Sequence, residues 1–340
     1  MQIKVSVIIP NYNGKEYLEN CMDSLMRQDV RSFEVIVIDD ASSDDSLSKI
    51  KEKYPENGAF PRTRYAAHEE NLGFCRTVND GIAMAEALYV ILLNNDTVAD
   101  ASFVKELYYA IRRCEKSSDR RKAFSGKVFS LQAKMVSLQE KEIMDDGGDY
   151  YCALGWAYAA GKGKPASRYE KERKIFAACG GAAIYNKEVL QTLGGFDDNH
   201  FAYLEDIDIG YRAKLYGYEN LFAPRAVVYH AGSAASGARY NPFKARLSAR
   251  NSIYLIYKNM PNWQIIVNLP LFVIGYSLKA AFYILKGMGN TYIKGIAEGF
   301  RLCGSMEGKR RRQDFKKIGF WRCLKMEGEL LKNMFRRLFG

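Results

Sequence analysis

The stretch Gly194–Arg212, GGFDDNHFAYLEDIDIGYR, holds the densest set of groups able to move a proton. Glu205, Asp206 and Asp208 fall close together behind the paired glycines Gly194 and Gly195 and the aromatics Phe196, Phe201 and Tyr203. Ile207, Ile209 and Tyr211 supply the apolar spacing of a helix that begins near Asp206 and carries Arg212 in its second turn. A carboxylate at a helix N-terminus, under aromatic cover and beside a like charge, suits general-base work. Burial and the neighbouring charge raise its pKa, and the helix dipole lowers it. The same residues also fit a plainer arrangement, in which Asp206 caps the helix and Asp208–Arg212 is an i,i+4 surface pair.

The elements that must position these groups are legible from the N-terminus onward. Val5–Ile9 is a β-branched run ended by Pro10 and reads as a buried strand. Asn13 followed by Glu16 has the form of a capping box, ahead of a helix marked by Tyr17, Leu18, Cys21, Met22 and Leu25. Further strands are expected over Glu34–Ile38, Thr63–Ala67 and Tyr89–Leu93. Helices are expected through Ile50, capped by Ser42 or Ser43, and over Phe74–Glu86. Strands alternating with such helices predict a mostly parallel sheet covered on both faces. Ligands of such sheets sit beyond the carboxyl ends of the strands, so Asn11–Gly14, Asp39–Asp40 and Asn94–Asp96 should converge. Residues 98–178 show a helical stretch over Phe103–Cys114, a turn region at Asp145–Asp149 and a Gly161–Lys164 loop. Val227–Tyr229 then reads as a strand delivering His230 to the loop Ala231–Gly237.

Composition narrows the function classes. With 340 residues, 48% of them hydrophobic and 26% charged, the chain can bury a sizeable core. Seven cysteines without a CxxC or a short Cys/His cluster argue against a disulfide framework or a structural zinc site, and fit a reducing cytoplasm. The N-terminus enters a strand pattern directly, without the cationic start and apolar run of a signal peptide. There is no GxGxxG after the first strand and no GxxxxGK[ST], so dinucleotide and P-loop chemistry lose their main support.

The segments VSVIIPNYNG, EVIVIDDASSDDS, NLGFCRTVNDGIA, LLNNDT, GGFDDNHFAYLEDIDIGYR and the YHAG around His230 together resemble family-2 glycosyltransferases. Within that family the closest look is to bacterial rhamnosyltransferase-like enzymes of surface polysaccharide assembly. The resemblance runs over Val5–Gly237 and implies a GT-A, Rossmann-like α/β domain over residues 1–238. Its nucleotide-sugar half would be about 1–100 and its acceptor half about 101–238. It further implies that Tyr12 packs the nucleotide base, that Asp40 accepts from it, and that Pro10, Gly73 and Asn95 complete the nucleotide-sugar site. Asp96 and His230 would hold a divalent cation, Mn2+ or Mg2+. Asp206 would be the catalytic base, 24 residues before His230 (230 − 206), with Gly181 and Glu205 at the acceptor. The family's acidic DxD-type motif reads Asn94-Asn95-Asp96 here, which leaves one carboxylate for a hard cation. The implied reaction is inverting transfer of a sugar from a nucleotide-sugar donor to a saccharide acceptor, lipid-linked by the same resemblance. The rival reading of the reduced motif is a catalytically degenerate scaffold that binds sugar nucleotide or membrane. His68 and His200 are expected to be ordinary satisfied histidines.

Charge separates the end of the chain from the rest. Residues 231–340 hold 20 Lys and Arg against 5 Asp and Glu, a balance of +15, whereas residues 1–230 hold 30 against 34, a balance of −4. Asn259–Leu278 carries no charge but is interrupted by Asn262, Gln264, Asn268 and Pro270. Beyond it, Lys309–Arg312, Lys316-Lys317 and Arg336-Arg337 alternate with large apolar residues. Residues 239–340 are expected to be a basic helical extension lying on an anionic membrane surface, at the inner face of the cell membrane. A spanning helix and a helical pair packed on the catalytic domain stay open as alternatives. Nucleic acid would need the same charges, but no recognisable binding module supports it.

Overall fold

The computed structural model describes residues 2–56, 61–116, 127–232 and 241–339. The first part alternates strand and helix: β1 (Val5–Asn11), α1 (Leu18–Met26), β2 (Phe33–Asp39), α2 (Ser46–Lys53), β3 (Arg62–Ala67), α3 (Phe74–Met84) and β4 (Tyr89–Leu93). These four strands pair in parallel in the order β4-β1-β2-β3. Their side chains divide between two cores. Ile8, Ile36, Ile38, Val90 and Leu92 face one, and Val7, Ile9, Val35, Val37 and Ile91 face the other. Burial on both faces is why the strands read as unbroken apolar runs.

Local expectations fail in three places. β1 continues through Pro10 to Asn11 instead of ending at the proline, whose pairing neighbour on the β4 side stops at Ile8. The Asn13–Glu16 capping box does not form. α1 starts later, at Leu18, with no side-chain cap, and Asn13 (φ 51°) spends its side-chain oxygen on Ser43. α2 begins at Ser46 after Asp45, because Ser42 is drawn to Asp39 instead.

The second part comprises β5 (Thr97–Ala99), α4 (Phe103–Lys116), β6 (Lys127–Ser137), β7 (Met144–Asp146), β8 (Asp149–Cys152), β9 (Trp156–Ala159), β10 (Arg173–Ile175), β11 (Ala182–Asn186), α5 (Lys187–Thr192), α6 (Glu205–Leu215) and β12 (Tyr218–His230). β11 enters the sheet antiparallel between β4 and β6, and β12 runs parallel to β6. Among the described residues this makes a ten-stranded mixed sheet, ordered β10-β12-β6-β11-β4-β1-β2-β3, with β5 and β7 attached at its margins. Helices cover both faces.

The chain ends in α7 (Pro242–Asn259), α8 (Asn262–Leu285), α9 (Gly289–Gly304), α10 (Met306–Arg310), α11 (Phe315–Ile318) and α12 (Phe320–Phe339). The domain boundary expected at 238/239, like Gly237, lies outside the described residues. Beyond it, Leu255, Met260, Phe272, Met326 and Leu330 join the same core as Ile8 and Val90. α8 is long and apolar enough, by length and composition, to cross a membrane. Two of its polar residues, Gln264 and Asn268, point inward and donate to Glu327 of α12 at 2.7 and 2.8 Å, whereas Asn262 and Ser277 are exposed. Ile266, Val267, Val273, Ile274 and Leu285 stay exposed on the outside.

α7 is fastened to the segment around α6 by charge. The Lys258 ammonium lies 2.6 Å from Asp197 and 2.9 Å from Asp208, all three fully buried. Burial pushes Lys258 below its ordinary value despite both carboxylates. Burial works against ionising Asp208 too, but the Arg212 and Lys258 charges outweigh it and hold the group well below the usual carboxylate range. Lys258→Met should therefore lower the unfolding free energy by about 3–5 kcal/mol, as expected when buried charges lose their partner. Urea denaturation of the full chain measures this, and a loss under about 1 kcal/mol, the range of exposed pairs, would show that the cluster is solvated.

Candidate active site

The three polar clusters at the strand ends meet. Asn11, at the end of β1, donates to Asp39 (2.6 Å) and Ser46 (2.9 Å) and accepts from the Asn95 amide (2.8 Å). Asp40 accepts from the backbone N–H groups of Leu72 (2.8 Å) and Gly73 (2.9 Å), and its carboxylate lies 2.8 Å from His68 Nδ1. The other His68 nitrogen lies 3.1 Å from Asp80, so this histidine is satisfied, as expected. Gly73 needs to be glycine: its φ is +84°, and a Cβ there would run into the Phe201 ring.

A cleft of about 920 Å³ opens over these strand ends. Pro10, Tyr12, Asp40, Gly73, Asn95, Asp96, Gly181, Glu205, Asp206 and His230 all line it. Tyr12 stands 43% exposed at its edge. Phe201 and Tyr203 form aromatic cover together with Phe243 of α7, at ring separations of 6.1 and 6.3 Å. Phe196, expected to share in that cover, is instead fully buried against Phe74 and Tyr185. A second hollow of about 560 Å³ between α7, α8 and α9 is lined mostly by hydrocarbon, with Ser277, Cys303 and three tyrosines as its only polar-bearing residues.

At one end of the cleft, His230 Nε2 lies 3.2 Å from Asp96 Oδ1, and Nδ1 lies 2.7 Å from Asp145. Burial disfavours a charged imidazole, but Asp145 and Asp96 outweigh it and raise His230 to about 9. Asp96 Oδ1 is buried and accepts no well-formed hydrogen bond. At neutral pH that imidazole carries both protons, so a divalent cation would enter by displacing the Nε2 proton, after which the Asp96 oxygen and the ring nitrogen offer it a donor pair. Asp145 then stands where it would orient the ring from its far side.

At the other end, α6 opens with Glu205 and Asp206 after Leu204 (φ 67°), and no side chain caps it. Asp206 Oδ1 accepts from the Gly180 N–H at 2.9 Å. A Cβ at position 180 would lie 2.9 Å from that oxygen, so glycine lets the backbone reach the carboxylate. Burial, then Glu205 and Asp146, push Asp206 well above the ordinary carboxylate value against the pull of Gly180. Burial, with Asp149 and Asp208 adding to it, lifts Glu205 to about 7. Glu205 is 7% exposed, and one of its oxygens has no hydrogen-bond partner. Asp146, Asp149 and Cys179 bring ligand-type atoms within 4.8 Å of one another beside this pair. These carboxyls titrate as a group.

Asp208, two residues past Asp206, points away from the cleft into the Lys258 cluster. Its pairing with Arg212 at 2.7 Å is buried, not a surface contact. Several contributors carried no local signal. Asp145, Asp146 and Asp149 sat in a stretch that read only as a turn, and Phe243 and Lys244 reach the cleft from α7.

The sequence model described as "Glycosyl transferase family 2" matches residues 6–194, more than half of the chain. The N-acetylglucosaminyl-diphospho-decaprenol L-rhamnosyltransferase of Mycobacterium tuberculosis is 24% identical over 249 residues, covering 68% of this chain and 77% of that protein. Of six other curated relatives the chain spans a smaller part, between 14% and 36% of their length. Staphylococcus aureus TarS 1–349, solved with UDP-GlcNAc, superposes with a TM-score of 0.58 at 18% identity, covering 96% of this chain and 91% of that one. The mannosyltransferase PcManGT of Pyrobaculum calidifontis, solved with GDP-Man and Mn2+, gives 0.52 at 16% identity, covering all of this chain and 88% of that one. These structural likenesses are of fold, the GT-A arrangement. The match takes in β1 to β11 with the polar strand ends over which the cleft opens, and on that match the chain belongs to glycosyltransferase family 2.

Proposed function

We propose that the protein transfers a sugar from a nucleotide-sugar donor to a hydroxyl of a saccharide acceptor with inversion at the anomeric carbon. The observation that carries this reading is the single cleft holding the Asp96–His230 pair at one end and a pKa-raised Asp206 at the other. The donor's nucleotide would lie over Tyr12, Asp40, Gly73 and Asn95. Asp96 and His230 would hold a divalent cation, which when bound offsets negative charge building on the leaving diphosphate. Asp206 takes the proton of the acceptor hydroxyl as its oxygen attacks the anomeric carbon. The bond to the diphosphate breaks on the opposite face, its electron pair leaving with the diphosphate. Glu205 and Gly181 border the acceptor position, where the unpaired Glu205 oxygen can take a sugar hydroxyl.

The acceptor we infer is a lipid-linked saccharide of bacterial surface polysaccharide synthesis, and rhamnose is one candidate for the sugar. Support comes from the rhamnosyltransferase relative and from the exposed apolar side of α8 beside a +15 chain end. The protein would lie on the cytoplasmic membrane face, α8 and α12 resting in the headgroup layer.

Asp206→Asn should cut transfer by ~10²–10⁴-fold with nucleoside diphosphate affinity kept. A carboxyl whose folded pKa is raised costs stability as pH rises from its unfolded value through its folded one, so the variant should also melt higher at neutral pH. In the wild type, transfer should rise with pH through an apparent pKa above the ordinary carboxylate value. A panel of UDP-, GDP- and dTDP-sugars, assayed for nucleoside diphosphate release with and without acceptor across a pH series, measures the transfer and its pH profile, and a thermal melt of both proteins measures the stability. Near-wild-type turnover by Asp206→Asn would remove it as the base.

With one carboxylate in the motif, Mn2+ should bind the protein alone weakly and much more tightly with nucleoside diphosphate. Calorimetry with each ligand order checks this, and tight Mn2+ binding without nucleotide would point to a different ligand set.

The full chain should float with vesicles containing anionic phospholipid and be largely released by high salt, since attraction of order ~1 kcal/mol per basic residue is screened. Retention through alkaline carbonate would mean that α8 spans the bilayer.

A further inference from the structure

Residues 199–204, the approach to Glu205 and Asp206, hold backbone that the chain would not adopt unaided. Phe201, Tyr203 and Leu204 have φ of 63°, 71° and 67°, left-handed values that are uphill for residues with a Cβ. Such conformations persist only where the surroundings over-determine them. Here much of the surrounding structure is one helix from the basic end of the chain. The Asn251 amide nitrogen lies 2.8 Å from the His200 carbonyl oxygen, 2.8 Å from that of Ala202 and 2.7 Å from that of Tyr203. With two hydrogens for three acceptors, it donates a shared, bifurcated set. Arg250 donates to the carbonyls of Asn199 and His200 at 2.8 Å each. Asn251 is fully buried, so water cannot take over its role.

The same helix grips both ends of the loop. Tyr254 donates to Asp197 at 2.9 Å, and Asn259 donates to Asp208 at 2.7 Å. Lys258 bridges the two carboxylates. Asp197, His200 and Asp208 have ligand-type atoms within 4.8 Å of one another, but the Lys258 ammonium supplies the positive charge there. The cluster is therefore an internal ion pair that closes the loop onto α7, and a metal is not needed.

We propose that Asn251, backed by Tyr254 and Lys258, is a positioning residue for transfer: α7 clamps residues 199–204 and thereby aims the Asp206 carboxylate at the acceptor hydroxyl. This rests on the reading of Asp206 as general base. It makes α7 part of the catalytic apparatus, and because α8 follows directly, the seating of the apolar helices bears on the geometry of the base.

The test uses the full-length protein. By hydrogen exchange, Asn251→Ala should lose protection over 199–208 while β1, β2 and β4 keep theirs, and UDP or GDP affinity with Mn2+ should be unchanged. A misplaced base typically costs ~10²-fold, so kcat should fall by about that factor with donor KM held. Because Asn251 acts through Asp206, Asp206→Asn/Asn251→Ala should be no slower than Asp206→Asn alone. Unchanged exchange over 199–208, a kcat within a few-fold of wild type, or multiplying effects in the double variant would overturn the proposal. Should Asn251→Ala not fold, Tyr254→Phe removes one hydroxyl and keeps the ring. A several-fold lower kcat with donor KM held supports the clamp, and no change overturns it. Full activity of Asp206→Asn would instead reject the base assignment, and the exchange data would still decide whether α7 holds the loop.

Discussion

The Lys258 ammonium, buried between Asp197 and Asp208, is the contact on which much of the molecule depends. Asp197 begins the loop to the proposed base, Asp208 lies in the first turn of the base helix, and Lys258 comes from the C-terminal region. Arg212 carries the cluster further, donating to the carbonyls of Leu193 and Gly195. Such a cluster adds little net stability over a well-packed apolar substitute, but it tolerates no missing member. Its value is specificity of position: two neighbouring segments and one 50 residues further on can meet in one way only.

That cluster also divides two carboxylates that look alike in sequence. Asp206 and Asp208 are two residues apart on α6, so they leave the helix on nearly opposite sides. Asp208 meets Arg212 and Lys258 and stays ionised, whereas Asp206 meets Glu205, the Asp146 and Asp149 carboxyls and a dry wall, and is pushed upward. Opposite environments that drive neighbouring carboxyls apart are how one segment can hold both a structural anion and a proton acceptor. The imidazole at the far end follows the same rule, since the two aspartates around His230 set its charge.

The C-terminal helices combine two demands on one surface. Gln264 and Asn268, which interrupt the apolar run of α8, turn inward to Glu327 and leave a continuous hydrocarbon face outside. These two residues thus mark the side of the helix that packs on protein. The uncovered face suits an anionic bilayer surface, where nearby basic residues add attraction.

The sequence alone determined the strands of the first half, because runs such as Val5–Ile9 and Tyr89–Leu93 are buried on both faces and need no outside information to read. It also determined that the polar strand ends meet, because polar residues at the carboxyl ends of such strands converge by topology. Family resemblance in the motifs then marked ten residues that line one cleft. Only the tertiary structure showed what holds Asp208 away from the cleft, since one of its cation partners, Lys258, lies 50 residues away. It alone brought Asp145 to His230 across 85 residues and folded Asn251 against the loop before Asp206. Local patterns misled where another partner competed: Asn13 was taken by Ser43 from another turn and Ser42 by Asp39 in its own, so neither capped the helix its spacing suggested. Periodicity reports which face of an element is buried, but what a polar side chain meets there depends on chain brought in from far away.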